Sequence, residues 1–574
     1  MTKNLILTSI FLFLLPHPLC AQSPLLPPQH PAYDFLERME VLGLLDCSLL
    51  GSKPVSRVRI AELLEEVHEQ TRTHPGVAQR GALSLSRVDQ RMLAALRWEF
   101  ARDAERTGLH PSFAPHPEGR SRLGRLHDWM QAKGWFTQTF YQNGLNFYGY
   151  ESDYFDGYAD PRGLLRVIRQ EGDDRAIVMT AVGLRLRAHV GKHLGVYFDF
   201  LDTVERGRGP YTDRAQLYQN RMGYVGFKEG AESVSYDVAE FDLTFGGNFW
   251  ELHATKVPLR WGPGRSGQLL LSDWGTSFHQ LQAIFKLGRT LRLTYLFGTL
   301  KTHPEISDTL GVSSGFLRTI ERSKYIAAHR LEWDPHPRLR LGFSEALIYG
   351  ERDPELAYFI PVNFFWSAEH DLGDEDNALL SLDAVWIPLP RYQLYGEFLI
   401  DDITTSKLGT DYYGNKLGWL AGLFIVQPAG LRNFDLTLEL AELRPFVYSN
   451  RFPINVYSHW TTPLGYRYPP NSRCLFSALR FRPHWRASLE LNWTHLQHGA
   501  NSALTNVGGD IFVPFQQGAG EEALFLGGIL ETTDYTELSG SYEVLKNLFV
   551  RGRGRWIQQD GENGWEVEIG FSLN

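Results

Sequence analysis

Several acidic residues are grouped closely enough to do chemistry. Glu369, Asp371, Asp374 and Asp376 share one short stretch with His370, and Asp401 and Asp402 stand side by side at the end of an alternating run. Two carboxylates at a suitable separation can cleave a glycosidic bond, and a histidine among carboxylates can hold a metal or act as a base. Adjacent residues on a strand point to opposite faces, however, so Asp401 and Asp402 cannot serve one site without a bulge. Extracellular loops are also commonly acidic. The reading ranks a structural role first, ligand contact second and catalysis last, and no enzyme activity is expected.

A second set has the chemistry of sugar recognition. Flat aromatic faces stack on sugar C–H surfaces, and planar polar side chains pair with hydroxyls and uronate carboxylates. Trp261, Trp274, Trp366, Trp460, Tyr466 and Tyr468 could stack, while Arg265, Arg467 and Asn377 could pair. For Trp261 and Arg265, binding and loop packing weigh equally; for Trp366, inside an apolar run, packing is favoured. The candidate contacts are therefore Trp261, Arg265, Trp274, Glu369, His370, Asn377, Asp402, Trp460, Tyr466 and Arg467. Gly262-Pro263-Gly264 reads as a restricted turn that fixes Trp261 and Arg265. It is not a phosphate loop, since no Lys-Ser/Thr follows it. The chain has no Gly-x-Ser-x-Gly elbow with plausible partners, no HExxH helix and no CxxC pair, so no metal or cofactor is expected.

The elements that must position these residues are strands. From about residue 134 the apolar period becomes two, as in Phe434-Asp-Leu-Thr-Leu-Glu-Leu440 and Trp565-Glu-Val-Glu-Ile-Gly-Phe-Ser-Leu573. About eighteen such runs are expected: 134–149, 176–191, 193–204, 232–246, 248–258, 276–287, 289–302, 323–334, 337–350, 377–389, 391–404, 415–427, 432–445, 473–483, 485–498, 533–546, 547–559 and 564–573. Tight turns join even strands to the following odd ones, whereas 150–175, 205–231, 259–275, 303–322, 351–376, 446–472 and 499–532 are long. Short turns at one rim and long loops at the other describe an outer-membrane barrel. A soluble propeller would show a repeat of constant period, and none is present.

Composition agrees with this reading. The 574 residues carry 57 Lys+Arg against 66 Asp+Glu, a formal charge of −9. There is no basic tract for nucleic acid. Three cysteines are too few for a disulfide scaffold. After residue 21 no apolar stretch approaches the length of a membrane helix, so any membrane crossing must use a closed barrel. Lys3, the run Leu5 to Leu15 and Leu19-Cys20-Ala21 read as a cleaved export signal. The expected organisation is a signal peptide at 1–21, a linker and small α-helical periplasmic domain at 22–130, and an all-β transmembrane barrel at 131–574. Helices are expected over 32–45, from Ser56 as N-cap, and after Ser86.

The loop words resemble those of a known family. Trp261-Gly-Pro-Gly-Arg265, Gln268-Leu-Leu-Leu-Ser272, Pro361-Val-Asn-Phe-Phe365, Glu369-His370, Asp374-Glu-Asp-Asn377, Tyr395-Gly-Glu-Phe-Leu-Ile-Asp401-Asp402 and Pro463-Leu-Gly465 resemble, in order and spacing, the Wzi family of capsule assembly proteins. The resemblance covers roughly 134–574. It implies an eighteen-stranded outer-membrane barrel that binds capsular or extracellular polysaccharide and helps attach it to the cell surface. The chain departs from the pattern in its N-terminal helical unit and in ending Phe571-Ser-Leu-Asn574 rather than on an aromatic. The helical unit, with Gly43-Leu-Leu45, Lys53-Pro54 and Ser56-Arg57, faintly resembles a surface-layer-homology module. That implies peptidoglycan or periplasmic export components as partners, against the plainer reading of a plug at the periplasmic mouth. A porin or transporter, and an outer-membrane glycan or lipid hydrolase, are the alternative functions.

Overall fold

The computed structural model describes residues 23–46, 48–73, 85–109, 144–208, 227–228, 232–306, 308–311, 317–516 and 520–574. The expected leader at 1–21 and positions 134–143 of the expected first strand lie outside these residues.

Eighteen antiparallel strands close on themselves. They are β1 Phe155–Gln170, β2 Ile177–Val190, β3 Leu194–Arg206, β4 Ser233–Gly246, β5 Trp250–Lys256 and β6 His279–Leu287. Next come β7 Leu291–Thr299, β8 Lys324–His336, β9 Leu339–Gly350, β10 Asn377–Leu389, β11 Tyr392–Asp402 and β12 Lys416–Val426. The last six are β13 Phe434–Leu443, β14 Ser472–His484, β15 Ala487–Ala500, β16 Ile529–Leu545, β17 Leu548–Gln559 and β18 Glu562–Leu573. Closure is made by β18 against β1, with Phe571 opposite Leu165 and Glu566 opposite Gln170. Alternation sets the two faces. On β18, Trp565, Val567, Ile569 and Phe571 are exposed outward, while Glu566 and Glu568 turn inward to Arg553.

The expected strands from 176 onward are present, with short turns and long loops on the expected sides. The first is displaced. β1 occupies 155–170, inside a stretch expected to be loop, and it joins β2 through the short connection 171–176. Its pattern is masked because Leu164-Leu165 and Val167-Ile168 put apolar residues on both faces, and because Pro161 and two glycines interrupt it.

Among the described residues four helices precede the barrel: α1 Pro31–Val41, α2 Arg57–Thr73, α3 Arg87–Glu99 and α4 Ala101–Arg106. Ser86 caps α3 in a reciprocal capping box with Asp89. Ser56 instead sits in a two-residue strand paired with Leu25, its hydroxyl 3.3 Å from Glu251 of β5. The unit stands at the short-turn rim, where Arg391 N–H donates to Val41 and Lys546 pairs with Glu99 at 3.0 Å. From there it reaches into the lumen. Leu49 N–H donates to Asp334, and Gly51 N–H and Ser52 Oγ donate to Glu332, at 3.1, 2.9 and 2.8 Å. One apolar core runs from Phe35, Leu36 and Met39 of α1 to inward residues of the wall such as Ile326, Leu379 and Leu420. The rest of the lumen, beside β15–β18 and β1–β4, holds a cavity of about 930 Å³.

Candidate functional site

The loop 257–278, which carries Trp261 and Arg265, folds into the barrel rather than standing above it. Trp261 is 3 % exposed and pairs as a short strand with Ser52 of the helical unit, as Arg260 does with Lys53. Gly262 N–H donates to the Gly51 carbonyl at 2.9 Å. Two inward carboxylates hold the loop. Glu397 of β11 accepts from Gly264 N–H and Leu269 N–H, both at 2.7 Å. Glu439 of β13 accepts from Arg265 N–H, Ser266 N–H and the Tyr395 hydroxyl, at 2.8, 2.9 and 2.7 Å. Backbone donors thus wrap the barrel's own anions, as a phosphate loop wraps a ligand's. The glycines permit this approach: Gly262 has φ +121, and a Cβ on Gly264 would lie 2.0 Å from the Gly267 carbonyl oxygen.

The Arg265 guanidinium lies 3.7 Å from the Phe424 ring centroid and pairs with Glu37 of α1 at 3.0 Å. Burial raises the Glu37 carboxyl, but Lys53 and Arg265 outweigh it and hold the group near pKa 2. Tyr466 is fully buried, its hydroxyl 2.7 Å from Ser266 Oγ. Trp261, Arg265 and Tyr466 therefore belong to one lid across the lumen. Their aromatic and cationic surfaces are spent on packing.

Trp274 and Arg467 come together at the edge of this lid. The Arg467 guanidinium lies 4.7 Å from the Tyr468 ring and 5.6 Å from the Trp274 ring, and all three side chains keep partial exposure. A cation between two half-open rings can stack on a sugar and pair with its carboxylate. Trp460, at φ +58, donates its backbone N–H to Lys301 and is partly exposed.

The acidic residues do not converge. Asp401 faces inward and accepts from Tyr448 N–H, while Asp402 faces outward with its side chain 59 % exposed, 3.8 Å from Lys416. Glu369 is buried beside Asp376 and Asp374 in the loop 351–376; burial first, then those charges, push its carboxyl up to about 7. His370 is exposed, its ring against Trp366. Asn377 is buried and donates to the Asn455 carbonyl at 2.8 Å. Among the described residues no His/Cys/Asp/Glu group is arranged to hold a metal. Glu397, Glu439 and Tyr448 lie outside the candidate contacts expected from the sequence. Their signal is a carboxylate or tyrosine on the inward parity of a strand, or in a loop end, facing a glycine-rich loop.

Comparison with known proteins places this arrangement. Residues 214–472 match the family model "Capsule assembly protein Wzi". All the loop words from Trp261 to Gly465 lie inside that span. No curated protein matches the sequence. Among solved structures, Wzi of Escherichia coli, described as an outer-membrane carbohydrate-binding β-barrel involved in group 1 capsule assembly, is similar with a TM-score of 0.55 at 13 % identity. The likeness covers 96 % of this chain and 99 % of that one. OccAB2 of Acinetobacter baumannii reaches a TM-score of only 0.43 at 12 % identity, over 74 % of this chain and 99 % of that one. Residues 214–472 are thus similar in sequence to the Wzi capsule assembly family, and the barrel those residues help to build has the fold of the Wzi structure.

Proposed function

We propose that the protein is an outer-membrane polysaccharide-binding protein that attaches or assembles capsule or exopolysaccharide at the cell surface. The observation that carries this reading is the family match over 214–472, whose residues build the lid and the Trp274–Arg467–Tyr468 group. Binding is multivalent and weak per contact, as suits a repeating polymer. The reading is non-catalytic, and the opposed directions of Asp401 and Asp402 support that. It also implies export with a cleaved signal, an outer-membrane lipid surround and no cofactor. A porin role is disfavoured by the lid and helical unit that fill much of the lumen.

Within the candidate set, Trp274 and Arg467 are assigned direct contact. Trp261, Arg265 and Tyr466 are assigned to positioning the lid. The test is co-sedimentation of the detergent-solubilised protein with purified acidic capsular polymer. Arg467→Ala should lower the bound fraction severalfold with an unchanged melting temperature. Undiminished binding by the double variant Trp274→Ala/Arg467→Ala would overturn the assignment.

A further inference from the structure

The loop 351–376 behaves unlike the lid: it lies on the outside of the barrel. On β8, Arg330 and Glu332 face the lumen, since they bond to Ser52 of the helical unit. Tyr325, Ala327, His329, Leu331 and Trp333 therefore face outward. Strand register carries the same face to Tyr295 and Phe297 on β7, Phe343, Glu345, Leu347 and Tyr349 on β9, and Ala378 on β10. Tyr358, Phe365 and Ala368 of the loop pack on this outer face, in one cluster with Tyr295, Ala327, Leu347 and Tyr349.

Polar bonds fasten the loop there. Tyr295 donates its hydroxyl to the Tyr358 carbonyl at 2.7 Å. His329 and Glu345 are direct cross-strand partners, 3.2 Å apart, on the side that a bilayer should contact. The Glu345 carboxylate accepts from the backbone N–H groups of Phe365 and Trp366, at 2.8 and 2.7 Å, which open the short helix α5, Phe365–Asp371. Phe365 closes over the His329 ring at 4.6 Å. A bare carboxylate on that wall would be costly in hydrocarbon. The loop removes the cost by satisfying and covering it.

Over 356–366 the other side of the loop is apolar. Leu356, Ile360, Val362, Phe364 and Trp366 are 75, 47, 79, 43 and 42 % exposed. Its neighbours are the bare wall itself: on β8 the outward row continues to Leu331 and Trp333, and on β10 to Leu382 and Trp386, all exposed. About nine to eleven strand residues cross a bilayer, and a span of that length ending at Trp333 begins at 323–325 and so includes the covered positions 325–329. The loop's apolar surface is thus continuous with the lipid-facing wall and level with it.

We propose that the loop 351–376 is a membrane flap whose segment 356–366 is embedded, while its exposed charged ends, Glu351 and Asp353 on one side and His370 to Glu375 on the other, stand outside the hydrocarbon. The segment 356–366 lies in the acyl layer of the leaflet on the long-loop side, replacing lipid over the His329–Glu345 pair and presenting Leu356, Val362, Phe364 and Trp366 to lipid. This goes beyond polysaccharide binding and does not depend on it. The flap's far end is tied to the loop 446–471, where Asn455 donates to the Glu375 carbonyl at 2.7 Å and Asn450 to the Asp376 carbonyl at 3.4 Å. Lipid contact therefore helps to fix the loop cluster.

The test is a nitroxide at Val362→Cys in the full chain reconstituted in phosphatidylcholine vesicles, with the wild-type chain taken through labelling as blank. Collisions with oxygen, which concentrates among acyl chains, are compared with collisions with a water-soluble nickel chelate. The oxygen-to-nickel ratio should exceed severalfold that at Leu504→Cys, a loop position 95 % exposed. An equal ratio would overturn the proposal. Dipolar broadening between labels would overturn it in favour of contact between copies of the chain. Leu356→Cys serves as the second site should Val362→Cys fail to fold.

Discussion

The two sides of this barrel carry the same inward residue types and use them differently. Beside β7–β13 the inward charges are sealed against the helical unit and the lid. Arg330 is 1 % exposed and donates to Asp383 at 2.9 Å, Ser52 at 3.0 Å and Ser344 at 2.9 Å. Glu332 accepts from Arg292, Gly51 and Ser52. Beside β15–β18 and β1–β4 the charges line the 930 Å³ cavity, to which those strands contribute six arginines and six carboxylates. Arg553 pairs there with Glu566 and Glu568 at 2.6 and 2.8 Å but keeps 24 % exposure. Buried, an arginine is a fastener whose loss strands its partner; hydrated, it is one member of a screened ladder. The matched family segment, 214–472, builds most of the sealed side, while β1–β3 and β15–β18 fall outside it.

The largest effect expected from this contrast is at Arg330. Arg330→Ala leaves Asp383 and the Ser52 contact unpaired in the sealed side, and should cost about 3–5 kcal/mol, read from denaturant unfolding in detergent. A loss no greater than that of a surface arginine would erase the distinction. Next, Gly264→Ala drives a Cβ to within 2.0 Å of the Gly267 carbonyl oxygen. It should cost about 1–3 kcal/mol and loosen the lid, seen as higher single-channel conductance in planar bilayers; unchanged conductance would show that the lid does not limit the lumen. The smallest effect belongs to the wet side. Arg551 is exposed to the lumen and stacks loosely on Phe549 at 5.3 Å. Arg551→Ala should shift stability by less than about 0.5 kcal/mol, and a drop comparable to that of Arg330→Ala would mean that both sides are sealed alike.

Much of the barrel is legible in the sequence, because an inward charge and an outward leucine or tryptophan alternate with period two from residue 176 to the end. β1 is not, because its apolar residues straddle both faces. The alternation states which face a residue takes but not what fills the space in front of it. Arg330 and Arg553 look equivalent on that basis. For the same reason Trp261 is correctly located in a long loop while its height is not: the loop turns inward because Glu397 and Glu439, distant in sequence, offer acceptors there. Trp366, expected to pack within the run Phe359 to Ala368, stays exposed beside Phe364, whereas Phe365 and Ala368 of the same run are buried.

The pairing of Arg260-Trp261 with Ser52-Lys53 also has a mechanical side. A polymer attached as proposed would exert drag, and the two-residue ladder lies on the line between the outer loops and the short-turn rim. Tension entering through the loop 257–278 divides at the lid, part passing to β11 and β13 through Glu397 and Glu439, part through the ladder to the segment 48–53 and on to β8 through Glu332 and Asp334. The load is spread over several barrel staves instead of one hairpin.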